Sequence, residues 1–238
     1  MTENYYKWLS PHLGREFEML VYGERGVPLI LFPTSMGRYY ESKDFGLIES
    51  VRWFVDQGLV KIYCPDSIDA SSWYNRRIPA ADRAYNHSCY DKVLLHEVVE
   101  RALQETGHDR VVAAGCSFGG YHAANFAFRH PERVSYLFSL SGTFDIGDRV
   151  DGRHDDDNIY YNNPVSYMPD NQHADLWRMG IILGVAEHDI TRTQNEEMSA
   201  LLNGKQIQHW LDVRPNAVHD WPVWREMLPH YLSLLPTS

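Results

Sequence analysis

Arg110-Val-Val-Ala-Ala-Gly115-Cys116-Ser117-Phe118-Gly119-Gly120 is the stretch that decides the fold. A β-branched apolar run ends in Gly-x-Ser-x-Gly, and an amphipathic segment through Arg129 follows. Read as strand, sharp turn and helix, this is the setting of a nucleophile elbow. A strand that turns straight into a helix puts the serine backbone at positive φ. It also crowds the positions two before and two after, where only a missing Cβ relieves the clash. Gly115 and Gly119 stand there. The Ser117 hydroxyl is therefore expected at the carboxyl end of a sheet. The Phe118 amide opens the helix and faces the same region, as one half of an oxyanion hole.

Outward from this stretch, short apolar runs alternate with helical patterns, which predicts an α/β fold with a mostly parallel central sheet and helices on both faces. Strands are predicted over 17–21, 27–32, 59–64, 110–115, 134–140, 181–186 and 207–213. Helices are predicted over 47–57, 90–105, 118–129, 193–203 and 222–234. Between the strands at 134–140 and 181–186 lie residues 141–179, polar and rich in Asp, Asn and Tyr. That is too long for an ordinary connection. It reads as an excursion that covers or lines a site, on a single domain spanning 1–238.

Composition excludes several classes. The 238 residues carry 22 Lys+Arg against 32 Asp+Glu, a net charge of −10. No basic footprint for nucleic acid or an anionic membrane is present. No apolar run has the roughly 18–20 residues of a membrane span. Three cysteines without a Cys-x-x-Cys, and a start with no secretory pattern, fit a cytoplasmic protein. Asp155-Asp156-Asp157 lacks the spacing of a calcium loop and reads as a solvated acidic turn. No metal site, P-loop or dinucleotide fingerprint is found, so neither a metal nor another cofactor is expected.

A serine hydroxyl needs an imidazole base, and the imidazole needs a carboxylate. In an elbow enzyme their order is Ser, acid, His. Asp189 follows the strand at 181–186 and is the expected acid, with Glu187 and Asp145 as substitutes; it could instead cap the helix at 193. Of the 12 histidines, only His219 sits on a loop between the last strand and the closing helix. It is the expected base. The second oxyanion amide is expected from the loop Pro33-Thr34-Ser35-Met36-Gly37 after the strand at 27–32. Ser35 or Thr34 is the candidate, since Pro33 has no N–H. Thr34, Met36 and Trp221 are candidate substrate contacts. Tyr160 and Tyr161, with Tyr167 and Trp177, either line an acyl or alcohol pocket or pack the excursion onto the body.

Gly115-Cys116-Ser117-Phe118-Gly119-Gly120, the following His130-Pro131-Glu132, the strand end Ser139-Leu140-Ser141-Gly142, Gly184-Val-Ala-Glu-His-Asp189 and His219-Asp220-Trp221 with Trp224 together resemble the putative esterase family. That family includes esterase D (S-formylglutathione hydrolase) and the antigen 85 mycolyltransferases, within the α/β-hydrolase superfamily. The resemblance runs from about residue 17 onward. It implies an α/β-hydrolase fold and an ester substrate of small-molecule size. Two positions depart from the family pattern: Pro33-Thr34 stands in place of His-Gly, and Cys116 in place of the elbow His. The expected activity is serine ester hydrolysis on a neutral ester, because the excursion is acidic. Acyl transfer with the same three residues, or a catalytically silent binding protein of the same fold, are the rival readings. The oligomeric state is not legible.

Overall fold

In the computed structural model, residues 1–152 and 156–236 are described. Within them the strands are β1 (Glu3–Ser10), β2 (Arg15–Tyr22), β3 (Val27–Phe32), β4 (Val60–Pro65), β5 (Val111–Cys116), β6 (Val134–Leu140), β7 (Gly180–His188) and β8 (Trp210–Val218). They form one sheet in the order β1-β2-β4-β3-β5-β6-β7-β8. The pairs β1/β2 and β2/β4 are antiparallel; the others are parallel. This is the expected α/β-hydrolase arrangement.

β5 is buried at every position. A strand covered on both faces needs helices on both sides, and its side chains alternate between two cores. Val111 and Ala113 pack with Val98, Ala123 and Phe126 on one face. Val112, Ala114 and Cys116 pack with Ile48, Val51, Trp224 and Leu228 on the other. The first face carries the elbow helix (Phe118–Arg129) and the second the closing helix (Trp221–Leu232).

The strand order places the site. β3 leads outward to β4, while β5 leads the other way to β6. Their connections leave on opposite faces, which opens a crevice at the carboxyl ends of two adjacent strands. Phe32, the last residue of β3, lies opposite Gly115. The loop after β3 and the elbow after β5 therefore meet.

Several expected elements differ. β1 is absent from the sequence reading, because its outer face carries Glu3, Tyr5 and Lys7 and only Tyr6, Trp8 and Ser10 turn inward. The expected helix at 47–57 is broken into Leu47–Ser50 and Arg52–Asp56, and a further short helix, Glu41–Asp44, precedes it. Around Val51 the chain closes on three-residue bonds, Val51 N to Ile48 O and Phe54 N to Val51 O. The helix expected from 90 begins at Ala80 and passes through a π segment, Leu94–Val99. Its first turns escaped the apolar pattern because their inward stripe is polar: Arg83, His87 and Asp91 are buried at four-residue spacing. The last strand is shifted to Trp210–Val218 and contains Pro215, which an edge strand tolerates. Asp156 caps the short helix Asp157–Tyr160 through the Asn158 and Ile159 amides, while Asp155 of that acidic run lies outside the described residues. No described helix is long and apolar enough to cross a membrane.

The elbow depends on backbone touching backbone. A Cβ on Gly119 would lie 2.5 Å from Pro33 O and 2.6 Å from Phe32 O, whereas one on Gly204 would meet nothing within 4 Å. Gly119→Ala should cost about 1–3 kcal/mol, read as a Tm lower by several degrees. Gly204→Ala should leave Tm unchanged or slightly raised, as relief from the glycine penalty in a helix predicts. Equal melting curves for the two variants would overturn this account of the elbow.

Candidate active site

Ser117 sits where β5 breaks off into the elbow helix, at φ 55 and ψ −122. Such a conformation costs a non-glycine residue about 1–3 kcal/mol and persists only where its surroundings enforce it. Here Ser117 N donates to Leu140 O at 2.8 Å, and Ser117 O accepts from Gly120 N. The serine is thus pinned from β6 and from its own helix. Its hydroxyl projects at the carboxyl end of the sheet.

β7 and β8 deliver the other two expected residues to the same edge. His219 Nδ1 is 2.7 Å from Asp189 Oδ1, and His219 Nε2 is 2.9 Å from Ser117 Oγ. A carboxylate only accepts, so Nδ1 is the donor, and Nε2 is left to accept from the serine hydroxyl. Asp189 Oδ1 also accepts from the Thr191 amide and hydroxyl, both at 2.8 Å. Burial raises the Asp189 pKa, but the bonds from His219 and the Thr191 amide outweigh it and hold the carboxyl well below the usual range. The helix beyond starts at Arg192 with no side-chain cap, so Asp189 serves the imidazole and the Thr191 turn. Glu187, the first substitute, accepts instead from the Asn216 amide. Asp145 accepts from Gly147 N and Asn163.

The imidazole is held sideways by Trp224, edge-on at 5.0 Å, whose Nε1 donates to Ser141 Oγ. Trp221 stacks on Phe45 at 4.6 Å and 8°. Other histidines are placed differently. His122 pairs with Asp69, His130 with Asp91, and His209 with Ser199. His188 is exposed.

The loop after β3 has a specific hydrogen-bond pattern. Thr34 N donates to Glu41 Oε2 at 2.7 Å, and its hydroxyl to Oε1 at 2.8 Å. Met36, at φ 59, donates its amide to Asp69 Oδ2 at 2.9 Å. The Ser35 amide between them has no protein partner among the described residues, and neither has the Phe118 amide. Thr34 is therefore occupied, and Ser35 and Phe118 keep free donors beside the elbow. Met36 is half-exposed at the rim. Burial raises the Glu41 pKa, partly offset by the Thr34 bonds. Sequence reasoning missed Glu41 and Asp69, because neither belongs to a motif; their role exists only once three loops meet.

Two other residues missed from the sequence join this loop to the excursion. Tyr74 OH donates to Ser35 Oγ at 2.7 Å, and Arg149 Nη2 donates to Tyr74 OH at 3.0 Å.

Tyr160 and Tyr161 are placed elsewhere. They line a cavity of about 510 Å³ with Ser88, Arg129, Asn171 and Gln172. Arg129 ends the elbow helix, twelve residues from Ser117, or about 18 Å at 1.5 Å per residue. As substrate contacts they are corrected: the excursion runs down the elbow helix, and these tyrosines lie at its far end. Tyr167 is buried and bonds Asn125, and Trp177 bonds Lys205 O, so both pack the excursion onto the body.

Solved structures share this fold. A ferulic acid esterase superposes with a TM-score of 0.79 at 17% identity, covering 97% of this chain and 96% of its own. An S-formylglutathione hydrolase from Agrobacterium tumefaciens gives 0.77 at 15%, covering 97% and 93%. One from Staphylococcus aureus gives 0.73 at 18%, covering 98% and 96%. At these identities the likeness establishes the fold. No curated protein matches the sequence. A family model described as "Putative esterase" matches residues 47–235. That span holds the elbow, Asp189 and His219 alike, and on it the chain belongs to this esterase family.

Proposed function

We propose that the protein hydrolyses esters through an acyl-enzyme on Ser117. The observation that carries this reading is the unbroken chain from Asp189 through His219 to Ser117 Oγ, at 2.7 and 2.9 Å. His219 Nε2 takes the proton as Oγ attacks the ester carbonyl. The Phe118 and Ser35 amides receive the developing oxyanion, in a setting where preorganised donors do most of the work. Asp189, kept ionised, stabilises the imidazolium. His219 then returns the proton to the leaving alcohol, and water repeats the sequence on the acyl-enzyme. None of these steps calls for a cofactor.

The chain acts as one unit: β3 supplies one amide, β5 the nucleophile, and β7 and β8 the acid and base. The start of the excursion borders the site through Ser141, bonded by Trp224 beside His219, and through Arg149, bonded to Tyr74, while Tyr167 packs further along onto the elbow helix. Three unpaired cysteines support a reducing compartment such as the cytoplasm.

Ser117→Ala should lower kcat/KM on a 4-nitrophenyl ester by about a thousandfold or more, and should abolish labelling by a fluorophosphonate probe that wild type accepts. Retention of more than about a tenth of the activity would sink the assignment. Asp189→Asn should lower kcat by about 10³–10⁴-fold through loss of the correct tautomer. It also has a stability signature. The folded pKa of Asp189 lies below its unfolded value of about 3.9. Its contribution is therefore full above that value and is lost as pH falls toward the folded pKa. The Tm advantage of wild type over Asp189→Asn should be larger at about pH 5 than at about pH 3. An advantage that grows on acidification would contradict the lowered pKa.

A further inference from the structure

We propose that Arg149 binds an anionic group of the substrate, so that the preferred esters carry a carboxylate or similar anion. The proposal rests on the oxyanion assignment above, because Arg149 stands against Phe118, which supplies one amide, and is joined through Tyr74 to Ser35, which supplies the other. Its guanidinium carbon lies 4.6 Å from the Tyr74 ring centroid and 5.5 Å from that of Phe118. Through Tyr74 OH it reaches Ser35. The aromatic faces hold the planar fork in one orientation beside the elbow.

What distinguishes Arg149 from the arginines beside it is that no carboxylate among the described residues pairs with it. Its neighbours Arg76 and Arg83 both bind the Asp151 carboxylate, and Arg76 also reaches Asp148 O. Arg149 makes no ion pair among the described residues; its guanidinium donates from Nη2 to the Tyr74 hydroxyl, while its backbone donates to Ile146 O and accepts from Arg83 Nη1. Its Nε is buried without an acceptor among the described residues. A guanidinium partly withdrawn from water with donors to spare is costly alone and well matched to a carboxylate, which can take two of its N–H groups.

The acidity of the excursion led to the expectation of a neutral ester. The structure engages much of that acid elsewhere. Asp151 is taken by two arginines, Asp156 caps a helix, Asp170 bonds Tyr160 and Asp175 bonds Arg178. Asp148 remains exposed nearby. The net charge of −10 acts at long range, where salt screens it beyond about 10 Å; Arg149 acts at contact.

Two matched ester pairs test the proposal. The acyl pair is 4-nitrophenyl hemisuccinate and 4-nitrophenyl butyrate. The alcohol pair is 4-carboxyphenyl butyrate and phenyl butyrate. The readout is the charged-to-neutral ratio of kcat/KM, in which intrinsic reactivity cancels between enzyme variants. Arg149→Gln should lower one ratio by roughly tenfold to hundredfold, mainly through KM, and Arg149→Lys should restore part of it. The responding pair tells on which side of the scissile bond the anion sits. Neither ratio moving more than about twofold in an Arg149→Gln protein of wild-type Tm would overturn the proposal. Should that variant fail to fold, wild type still decides. KM for a charged ester must rise with salt between about 0.02 and 0.5 M while its neutral partner stays level, and a flat response overturns the proposal. Ser117→Ala separates the two layers. If it is inactive while the ratios do not move, only the role of Arg149 falls. If it turns over all four esters at wild-type rates, the esterase mechanism itself falls.

Discussion

A serine can be held at φ 55 and ψ −122 between a buried strand and a buried helix only if backbone packs directly on backbone around it. Gly119 against the carbonyls of Phe32 and Pro33 is that contact. It joins the elbow to the loop after β3, and so it fixes the nucleophile and one oxyanion arm in a single step. The strand order makes the contact available, since β3 and β5 are neighbours whose chains part in opposite directions.

The loop after β3 then has to present one amide and hide the others. Glu41 and Asp69 do this from two directions, taking the amides of Thr34 and Met36 and leaving Ser35. Two carboxylates beneath a site that stabilises negative charge would work against its purpose if both carried full charge. Burial raises the Glu41 pKa and weakens its tendency to carry charge. Asp69 faces His122 at 3.0 Å on its other oxygen. The acids thus act mainly as acceptors that shape a loop.

How much of this was legible follows from the range of each interaction. The elbow is local, so Gly115, Ser117, Gly119 and the elbow helix could be read directly. Asp189 and His219 were readable because each follows an apolar strand in the chain order that elbow chemistry requires. Ser35 was one of two candidates until Glu41 claimed Thr34. Glu41, Asp69, Tyr74 and Arg149 left no pattern, because their partners are between 7 and 75 positions away. Tyr160 and Tyr161 misled for a related reason. Aromatic residues in a polar excursion look alike whether they face the near or the far end of the helix beneath. The buried polar stripe Arg83, His87 and Asp91 conceals the start of a helix, because its inward face carries no apolar periodicity.

The distances along the chain also set an order of assembly. Ser117 and its strained turn are built from β5, the elbow helix and adjacent β6, whereas the base lies 102 positions downstream of the nucleophile. His219 reaches its place only when β8 has paired with β7 and Trp224 has docked to bond Ser141. Closing that long loop is the late, entropically expensive part of folding. A chain still emerging from synthesis with β8 unpaired therefore displays a shaped nucleophile and no base. It stays chemically silent toward the esters around it until its last helix is in position.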